Sequence, residues 1–256
     1  MQFSTCMNMQ FITCINSGYV EFTRNFFRIC KENNIDLKVT VYCTDEDAFL
    51  ACKDIENSNP VRFFNDSVSR LTRFGEKEFR EFCQKRTECI KEAVSRSDFT
   101  STCHIDMDIA VLKDFRQYVS DCMNVNEGVD VFGQCDERSV ACSNKVNCSN
   151  MCCGFMIFRH TSAVHALLDD VLQVIREKGS QFSSDQDVFN SCMKKINRFT
   201  LDKHIFPNGS FCGFSPGKQS YPKQSNISET AYLIHFNFLY SHEKEGAMRQ
   251  WGLFEN

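Results

Sequence analysis

The sequence predicts an α/β fold with a mostly parallel central sheet flanked by helices. Over residues 10–120, short apolar segments typical of strands alternate with longer amphipathic segments typical of helices. This alternation favours parallel strands joined by right-handed crossover helices. A chain of 256 residues is long enough to form one large core, and no repeat or linker divides it. We therefore expect a single domain over residues 1–256.

The first half is a regular series of predicted elements. The predicted strands cover residues 10–15, 37–43, 61–64 and a segment that ends just before Asp106, and the predicted helices cover residues 19–33, 45–55 and 76–96. A turn at residues 16–18 separates the first strand from its helix. Because ligands bind beyond the carboxyl ends of parallel strands, we expect this turn, Asp106 and Asp108 to lie at the functional edge of the sheet.

The second half is less regular. Its predicted strands cover residues 129–132, 153–158 and 231–236, and a predicted helix runs from Ser162 to Lys178. Apolar residues at helical spacing in that helix, such as Leu168 and Val171, are predicted to face the core. Residues 207–228 are rich in glycine, proline, serine and asparagine, which predicts a mobile loop that buries little apolar surface.

The charge pattern bears on partners and location. The formal net charge is −4 with both signs spread along the chain, which argues against a nucleic-acid-binding face and a polybasic membrane patch. No apolar run approaches the roughly twenty residues of a membrane span, and the N-terminus lacks a signal-peptide pattern. We expect a cytoplasmic protein whose partners are small molecules or glycans, with the Golgi lumen as the alternative if an anchor was removed.

Sixteen cysteines are many for a cytosolic protein. Several lie in predicted strands, where cysteine acts as a small buried hydrophobic residue. A denser group lies in a polar segment and consists of Cys135, Cys142, Cys148, Cys152 and Cys153. This group could form a zinc site or disulfides, but it lacks the paired Cys-x-x-Cys units of structural zinc sites, and we favour reduced thiols.

Two of the Asp-x-Asp pairs in the sequence open predicted helices. Asp45 and Asp47 lie at the start of the predicted helix at residues 45–55 and are interpreted as an N-cap with acidic residues in the first turn. Asp185 and Asp187 also stand at a predicted helix start. For this second pair, a capping role and an active-site role both remain open.

Asp106 and Asp108 differ from the other pairs because apolar residues flank them on both sides. Burying two like charges side by side is costly unless a cation compensates them. Two aspartates on one turn can hold a hard divalent cation such as Mn²⁺ or Mg²⁺ and leave coordination positions open for phosphate oxygens and water. The pattern therefore predicts a site for metal and phosphate.

A series of motifs extends over nearly the whole chain, from about residue 10 to residue 254. In order, they are Thr13-Cys-Ile-Asn-Ser-Gly-Tyr19 with Asn25, His104-Ile-Asp-Met-Asp-Ile109, Cys153-Gly-Phe-Met-Ile-Phe-Arg159, Asp185-Gln-Asp-Val-Phe-Asn190, Phe206-Pro-Asn-Gly209, Ile234-His-Phe-Asn237, and Lys244 with the closing Trp-Gly-Leu-Phe. The series resembles the nucleotide-diphospho-sugar transferases, the GT-A-fold family that includes plant cell-wall arabinosyl- and xylosyltransferases. The resemblance implies a GT-A-like domain with a Rossmann-like sheet. Residues 10–120 would form a nucleotide-binding half that ends in the DxD motif, and residues 121–256 an acceptor-side half.

The resemblance implies a metal site. Asp106 and Asp108 would hold Mn²⁺ or Mg²⁺ against the donor pyrophosphate, with His235 as a third ligand, and a histidine ligand suits Mn²⁺ better than Mg²⁺. Lys244 would stabilise the departing diphosphate, because a leaving group that gains negative charge is stabilised by a nearby cation. Arg86, or its neighbour Lys85, falls near the basic position of the family on the helix before the metal motif.

The resemblance also implies a donor-binding surface. Thr13, Asn16, Gly18 and Tyr19 would form the floor for base and ribose, with tyrosine offering a stacking face. Gly154 would let the backbone approach the sugar. The preceding pair departs from the family, because Cys152 and Cys153 stand where a small polar residue is frequent.

Further donor and catalytic roles follow from the same resemblance. Asn237 would also contact the donor. Asp185, Gln186 and Asp187 lie where GT-A enzymes place a group beside the anomeric carbon. An inverting enzyme needs a carboxylate base there, whereas a retaining enzyme needs groups that steady an oxocarbenium-like centre, and the family leans towards retention.

The predicted function is metal-dependent transfer of a sugar from a nucleotide diphosphate, with UDP as the expected nucleotide, to a glycan or glycoprotein. A sugar-nucleotide hydrolase or a nucleotidyltransferase could use the same aspartates. The nucleotidyltransferase would need a glycine-rich phosphate loop, which is not evident here. A non-catalytic carbohydrate-binding protein on the same scaffold is the third alternative.

Overall fold

Strand β1 (Met9–Ile15) contacts a separate apolar layer on each of its two faces in the computed structural model. Phe11 and Ile15 pack into one layer, whereas Ile12 and Cys14 pack into the other. This division follows from the two-residue period of a strand, which directs successive side chains to opposite faces. A sheet with apolar side chains on both faces must be covered by helices on both faces.

The strands form one large sheet and one small sheet. The structure describes residues 8–64, 76–137, 144–148, 150–178, 181–182, 184–218, 220–222 and 227–255. After β1, the strands are β2 (Val39–Cys43), β3 (Ser58–Arg62), β4 (Ser101–Ile105), β5 (Ile109–Val111), β6 (Val131–Cys135), β7 (Lys145–Val146), β8 (Met151–Arg159), β9 (Arg198–Leu201) and β10 (Leu233–His235). Among these described residues, eight strands form a sheet in the order β3-β2-β1-β4-β8-β6-β9-β7, and β5 pairs with β10.

The large sheet is parallel from β3 to β4, and β9 is parallel to β6. Strand β8 runs antiparallel to both β4 and β6. The predicted mostly parallel α/β fold is confirmed. Because β8 is antiparallel, its beginning rather than its end lies beside the carboxyl ends of β4 and β6. This places Cys152, Cys153 and Gly154 next to the turn that contains Asp106.

The helices cover both faces of the sheet. They are α1 (Val20–Glu32), α2 (Glu46–Cys52), α3 (Lys77–Val94), α4 (Arg116–Val125), α5 (Ser162–Lys178), α6 (Asp185–Cys192), α7 (Ile227–Thr230) and α8 (Ser241–Gln250). Helices α3, α5 and α6 supply buried residues to the layer of Ile12, and α1, α2, α4 and α8 supply the layer of Phe11. The predicted helix from Ser162 to Lys178 is confirmed, with Leu168 and Val171 buried.

Strand β9 is an element that the apolar pattern does not predict. Its first residue, Arg198, is buried, and the guanidinium donates hydrogen bonds to the carbonyl oxygens of Cys148 and Met193 at 2.6 Å each. A charged side chain therefore occupies a core position because backbone acceptors satisfy it. A prediction from apolar periodicity treats arginine as exposed and therefore misses such a strand.

The segment 207–228 buries more apolar surface than predicted. Phe214 and Tyr221 lie in the core, and the Phe214 ring stacks on Phe236 with centroids 5.2 Å apart. The indole N–H of Trp251 donates to the carbonyl oxygen of Tyr221 at 2.6 Å. The prediction that this segment buries little apolar surface is wrong at these positions. A few aromatic residues can anchor a segment in the core even when its average composition is polar. Residues 219 and 223–226 lie outside the described part of the chain.

Among the described helices, none has the length and apolar character needed to cross a membrane.

Candidate active site

Asp106 and Asp108 lie in the turn that joins β4 to β5. Backbone hydrogen bonds hold this turn on both sides, because the N–H of Asp106 donates to the carbonyl oxygen of Gly154 (2.8 Å) and the N–H of Phe236 donates to that of Asp108 (3.1 Å). The Asp108 side chain is buried, whereas 25% of the Asp106 side chain is exposed. The turn therefore presents one buried and one accessible carboxylate at the carboxyl end of β4.

Asp106, Asp108 and His235 form a group that we call the candidate metal cluster. Their ligand atoms all lie within 4.8 Å of one another. The Nε2 atom of His235 lies 3.3 Å from Oδ1 of Asp108 and 3.9 Å from Oδ2 of Asp106. The buried Oδ1 of Asp108 accepts no hydrogen bond from any described residue. Two carboxylates and an imidazole that converge in this way fit a divalent cation, and the imidazole favours Mn²⁺ over Mg²⁺.

Gly154 leaves the space that this cluster occupies. A Cβ atom at this position would lie 2.2 Å from Cε1 of His235 and 2.7 Å from Oδ2 of Asp106. Both separations are far below van der Waals contact, so any larger residue would displace a member of the cluster. A glycine is required here by close approach.

Two basic side chains compensate the acidic groups. The Nζ atom of Lys244, on α8, lies 2.7 Å from Oδ2 of Asp108. The Arg86 guanidinium, on α3, bridges Asp106 (3.2 Å) and Asp185 (2.5 Å). Arg86 rather than Lys85 therefore reaches the site. The compensation that we expected from a cation at Asp106 and Asp108 is supplied in part by the protein itself.

Charge coupling changes the proton affinities of this group. Burial alone would raise the pKa of Asp108, but Lys244 and His235 hold this pKa well below its usual range. Burial opposes the charged form of His235, yet neighbouring Cys152 and Asp108 raise the pKa of His235 well above its ordinary value. The pKa of Lys244 is also raised, because Asp108 outweighs the effect of burial. Asp108 is therefore held as a carboxylate between two cations.

Asp185 does not cap helix α6. The N-cap is Ser184, and Asp185 is the first helical residue, with its side chain fully buried against Arg86. The predicted helix start is confirmed, but the capping interpretation of Asp185 is wrong, because the carboxylate instead compensates a buried guanidinium. In contrast, Asp45 does cap α2, since its Oδ1 accepts from the N–H of Ala48 at 2.8 Å.

Asp136 lies at the carboxyl end of β6 inside a group of side-chain amides. Its Oδ2 accepts from Nε2 of Gln186 (2.7 Å), and its Oδ1 accepts from Nδ2 of Asn208 (2.7 Å) and Nδ2 of Asn237 (3.5 Å). We call Asp136 and these three amides the amide pocket. Burial raises the pKa of Asp136, and the hydrogen bonds from Gln186 and Asn237, together with the charges of His235 and Lys203, offset this effect only in part. A carboxylate with a raised pKa beside candidate site residues is a candidate functional group.

Sequence reasoning misses Asp136. The predicted strand at residues 129–132 ends too early, and the polar residues after it read as a loop. The signal that could have found Asp136 is positional: it follows its strand directly, just as Asp106 follows β4. In a sheet of this topology, such positions share one edge.

Gln186 and Asp187 are neighbours on helix α6 but have different surroundings. The Oε1 atom of Gln186 accepts from the N–H of Cys153 at 3.2 Å while its Nε2 donates to Asp136, so both ends of this amide are held. Asp187 is exposed. Among the described residues, no hydrogen bond or ion pair involves the Asp187 side chain. The structure therefore brings Asp185 and Gln186, but not Asp187, into contact with the other candidate site residues.

The predicted donor floor lies at the end of β1 and in the turn that leads into α1. Thr13 is buried and its Oγ1 finds no hydrogen-bond partner among the described residues. Asn16 Oδ1 accepts from the N–H of Gly18 at 3.1 Å, which shapes the turn into α1. The Tyr19 ring stacks on Phe82 with centroids 5.9 Å apart. These residues lie at the edge of the sheet that carries Asp106, as expected.

Asn237 connects the two sides of the site. Its Oδ1 accepts from the N–H of Gly209 at 2.6 Å, and its Nδ2 lies 3.4 Å from Sγ of Cys152. Cys152 Sγ in turn lies 3.5 Å from Nδ1 of His235. Cys152 therefore stands between the amide pocket and the candidate metal cluster.

The described cysteines are free thiols. The sulfur atoms of Cys135 and Cys148 lie 4.0 Å apart. In the described part of the chain, the candidate metal cluster is the only group of three or more histidine, cysteine or carboxylate side chains whose ligand atoms lie close enough to share a metal ion. Cys142 lies outside the described residues.

Comparison with known proteins identifies the family. A family model described as nucleotide-diphospho-sugar transferase matches residues 34–249. This span includes the candidate metal cluster, Lys244 and Asp136. A comparison with curated proteins gives no match.

Several solved structures share the fold. A galactosyltransferase, LgtC, in complex with donor and acceptor sugar analogues is 9% identical, with a TM-score of 0.60 and coverage of 96% of this chain and 95% of that chain. A glycosyltransferase involved in glycosylation of the major capsid of PBCV-1 is 10% identical, with a TM-score of 0.57 and coverage of 94% and 98%. Mouse xyloside xylosyltransferase 1 is 11% identical, with a TM-score of 0.52 and coverage of 90% and 97%. At these identities, the likeness shows the fold alone.

Proposed function

Because this chain belongs to the nucleotide-diphospho-sugar transferase family, we propose that it is a metal-dependent glycosyltransferase that moves a sugar from UDP to a glycan or glycoprotein. The observation that carries the proposal is the convergence of Asp106, Asp108 and His235 beside Gly154. Two carboxylates and an imidazole would hold a divalent cation, and the missing side chain at Gly154 lets His235 and Asp106 come close enough to share it. This arrangement suits a donor pyrophosphate.

The residues on the proposed donor side would neutralise the negative charge of the donor pyrophosphate. Asp106, Asp108 and His235 would hold Mn²⁺ or Mg²⁺, which supplies charge neutralisation for the pyrophosphate. Lys244 lies 2.7 Å from Asp108 and is placed to stabilise the diphosphate as it departs. Arg86 keeps Asp106 oriented from the opposite side. Tyr19, Asn16 and Thr13 would receive the base and ribose at the end of β1.

The reaction centre is proposed to lie between the candidate metal cluster and the amide pocket. Gln186 is held by Cys153 and Asp136, so its position is fixed before substrate binds. Asp136 is the carboxylate that could accept a proton or stabilise positive charge at the anomeric carbon. Asp185 acts indirectly, since it holds Arg86.

A glycan acceptor is favoured by two exposed aromatic residues after Asn237. Phe238 is 41% exposed and Tyr240 46% exposed. Phe238 also has a φ of 66°, which is strained for a bulky residue and recurs at binding sites. Aromatic rings offer apolar faces to sugar rings. Phe238→Ala should raise KM for the acceptor and leave KM for the donor unchanged, and a rise in donor KM alone would contradict this placement.

A screen of UDP- and GDP-sugars tests the function. Melting temperature should rise with a UDP-sugar only when Mn²⁺ is present, because a ligand that binds the folded state stabilises it. The product then separates the alternatives. Sugar appears on an added glycan for a transferase, whereas only free sugar appears for a hydrolase. Binding without turnover of any sugar nucleotide would favour a carbohydrate-binding protein and contradict the proposal.

A further inference from the structure

Gln134 is a fully buried residue in β6, one position before Cys135, and its side chain lies behind His235. Its Nε2 atom lies 3.2 Å from the carbonyl oxygen of Phe206 and 3.2 Å from that of Pro207. Its Oε1 atom lies 3.0 Å from Nδ1 of His235. Each end of the amide therefore has a defined partner.

These partners allow one orientation of the Gln134 amide. Backbone carbonyl oxygens are acceptors only, so the end that faces Phe206 and Pro207 must be the NH₂ group. A reversed amide would set its oxygen against two other oxygens and leave all three without a donor. The oxygen of Gln134 must therefore face His235, whichever way the amide is drawn.

The orientation of Gln134 determines which nitrogen of His235 carries a proton. A buried amide oxygen needs a donor, and the Nδ1–H of His235 is the donor within reach. Sγ of Cys152 also lies near Nδ1, at 3.5 Å, but that sulfur receives Nδ2 of Asn237 at 3.4 Å. When the ring is neutral and its proton is on Nδ1, Nε2 carries the lone pair for a metal ion. Nε2 is the atom that faces Asp106 and Asp108.

We propose that Gln134 is a positioning residue that fixes the tautomer of His235 with Nδ1 protonated, so that Nε2 is available to the cation. This inference rests on the proposed metal site. Within the described part of the chain, the Gln134 side chain hydrogen-bonds to Phe206, Pro207 and His235 and not to Asp106, Asp108 or Lys244, so it would act on the metal site through the ring of His235. Partners behind a ligating histidine commonly set its tautomer and its affinity for metal.

Two substitutions separate the positioning role from a structural one. Gln134→Met and Gln134→Glu both remove the NH₂ group that holds the carbonyl oxygens of Phe206 and Pro207. Only Gln134→Met removes the acceptor for Nδ1–H. Gln173→Met is the matched control, since Gln173 is exposed on α5 and its Nε2 donates to Glu177.

Calorimetry of Mn²⁺ binding in the presence of UDP should show about tenfold or greater weakening for Gln134→Met, the scale of a lost partner behind a metal ligand. Gln134→Glu should bind Mn²⁺ clearly more tightly than Gln134→Met, and Gln173→Met should match the wild type. Equal weakening in both Gln134 variants, or none in Gln134→Met, would overturn the proposal.

Nitrogen-15 NMR of the wild-type protein tests the same inference without substitution or metal. At a pH where the ring of His235 is neutral, the proton should reside on Nδ1, and a proton on Nε2 would overturn the proposal even if the variants fail to fold. Wild-type protein that binds neither Mn²⁺ nor UDP, yet shows the Nδ1 proton, would instead contradict the proposed function and leave the tautomer assignment standing.

Discussion

The candidate metal cluster and the amide pocket each contain a buried carboxylate, but the two carboxylates have opposite surroundings. Asp108 lies between the cations Lys244 and His235, and its pKa is held well below its usual range against the effect of burial. Asp136 accepts hydrogen bonds from the neutral amides of Gln186, Asn208 and Asn237, and burial raises its pKa although the charges of His235 and Lys203 act in the opposite direction. Asp108 follows the end of β4 and Asp136 follows the end of β6, at the same edge of the sheet.

This difference in surroundings suits the two carboxylates to two different functions within one site. A carboxylate paired with cations stays charged and can hold a metal ion, whereas one surrounded by neutral donors retains basicity and responds to positive charge that develops nearby. Pairs of acidic groups whose surroundings move their pKa values apart are typical of active sites. We therefore propose ground-state metal binding for Asp108 and reaction-centre chemistry for Asp136.

The largest effect is expected for Asp108→Asn. Transfer should fall by about a hundredfold to a thousandfold, the scale of a lost electrostatic contact to developing charge. Folding should also weaken by about 3 kcal/mol, because Lys244 and His235 lose their buried partner. Initial rates and urea unfolding measure the two effects. Asp114→Asn, at an exposed ion pair with Arg116, is the control.

Mn²⁺-dependent UDP binding by Asp108→Asn gives the decisive comparison. The variant should bind UDP equally weakly with and without a chelator, whereas the wild type should bind more tightly with Mn²⁺. If Mn²⁺ tightens UDP binding as much in the variant as in the wild type, Asp108 is not part of the donor site.

A smaller and more selective effect is expected for Asp136→Asn. Transfer should fall by about a hundredfold, since an amide cannot accept a proton or supply negative charge. Mn²⁺ and UDP should bind nearly as in the wild type, because Asp136 lies outside the candidate metal cluster. Single-turnover rates and calorimetry provide the two readouts, with exposed Asp121→Asn as control. If Asp136→Asn lost UDP binding as well as transfer, the proposed separation of donor binding from reaction-centre chemistry would be wrong.

The sequence predicts the first half of the molecule better than the second. Predicted strands and helices alternate regularly in the first half, so Asp106 and Asp108 could be placed at a strand end from sequence alone. The antiparallel course of β8 and the buried Arg198 of β9 depend on pairing and hydrogen bonds between distant segments, which periodicity does not report.

The candidate site divides in the same way. Asp106, Asp108 and His235 could be proposed because motif and resemblance named them, and the structure brings all three together. Asp136 and Gln134 could not, because their roles come from partners more than forty residues away in sequence, such as Gln186 and His235. The function of a buried polar residue can be inferred only when its hydrogen-bond partners are known.

Gly154→Ala tests whether the space beside the candidate metal cluster is required. The added Cβ would lie 2.2 Å from Cε1 of His235, so His235 or Asp106 must move. We expect a loss of about 1–3 kcal/mol in stability, as for an overpacked core, together with weaker Mn²⁺ binding. Gly128→Ala is the matched control, since a Cβ there meets nothing within 4 Å. Unchanged Mn²⁺ binding would show that the cluster tolerates displacement.

The pH dependence of stability should have opposite signs for the two carboxylates. The pKa of Asp108 is lowered by folding, so its contribution to the free energy of unfolding is present above the unfolded value of about 3.9 and is lost as the pH falls through the folded pKa. The pKa of Asp136 is raised, so the folded state binds this proton more tightly. Its contribution is greatest below about 3.9 and falls as the pH rises through the folded pKa.

Urea unfolding of the metal-free proteins at a series of pH values measures this difference. As the pH falls below about 4, the wild type should lose stability relative to Asp108→Asn, whereas as the pH rises from about 4 it should lose stability relative to Asp136→Asn. Fluorescence of Trp251, which is buried, reports the transition. The same slope for both pairs would mean that the surroundings of the two carboxylates do not differ in this way.

The smallest effect is expected for Asp187→Asn. Asp187 was a catalytic candidate with Asp185 and Gln186, but it is exposed, whereas the Asp185 side chain is buried against Arg86. Asp187→Asn should therefore change transfer and melting temperature little. Asp185→Asn should lower the melting temperature clearly, because removal of one partner leaves a buried guanidinium uncompensated on that side. A fall in transfer by about a hundredfold in Asp187→Asn, at unchanged melting temperature and UDP affinity, would instead place an acid–base group on this exposed face of α6 and move the reaction centre away from the amide pocket.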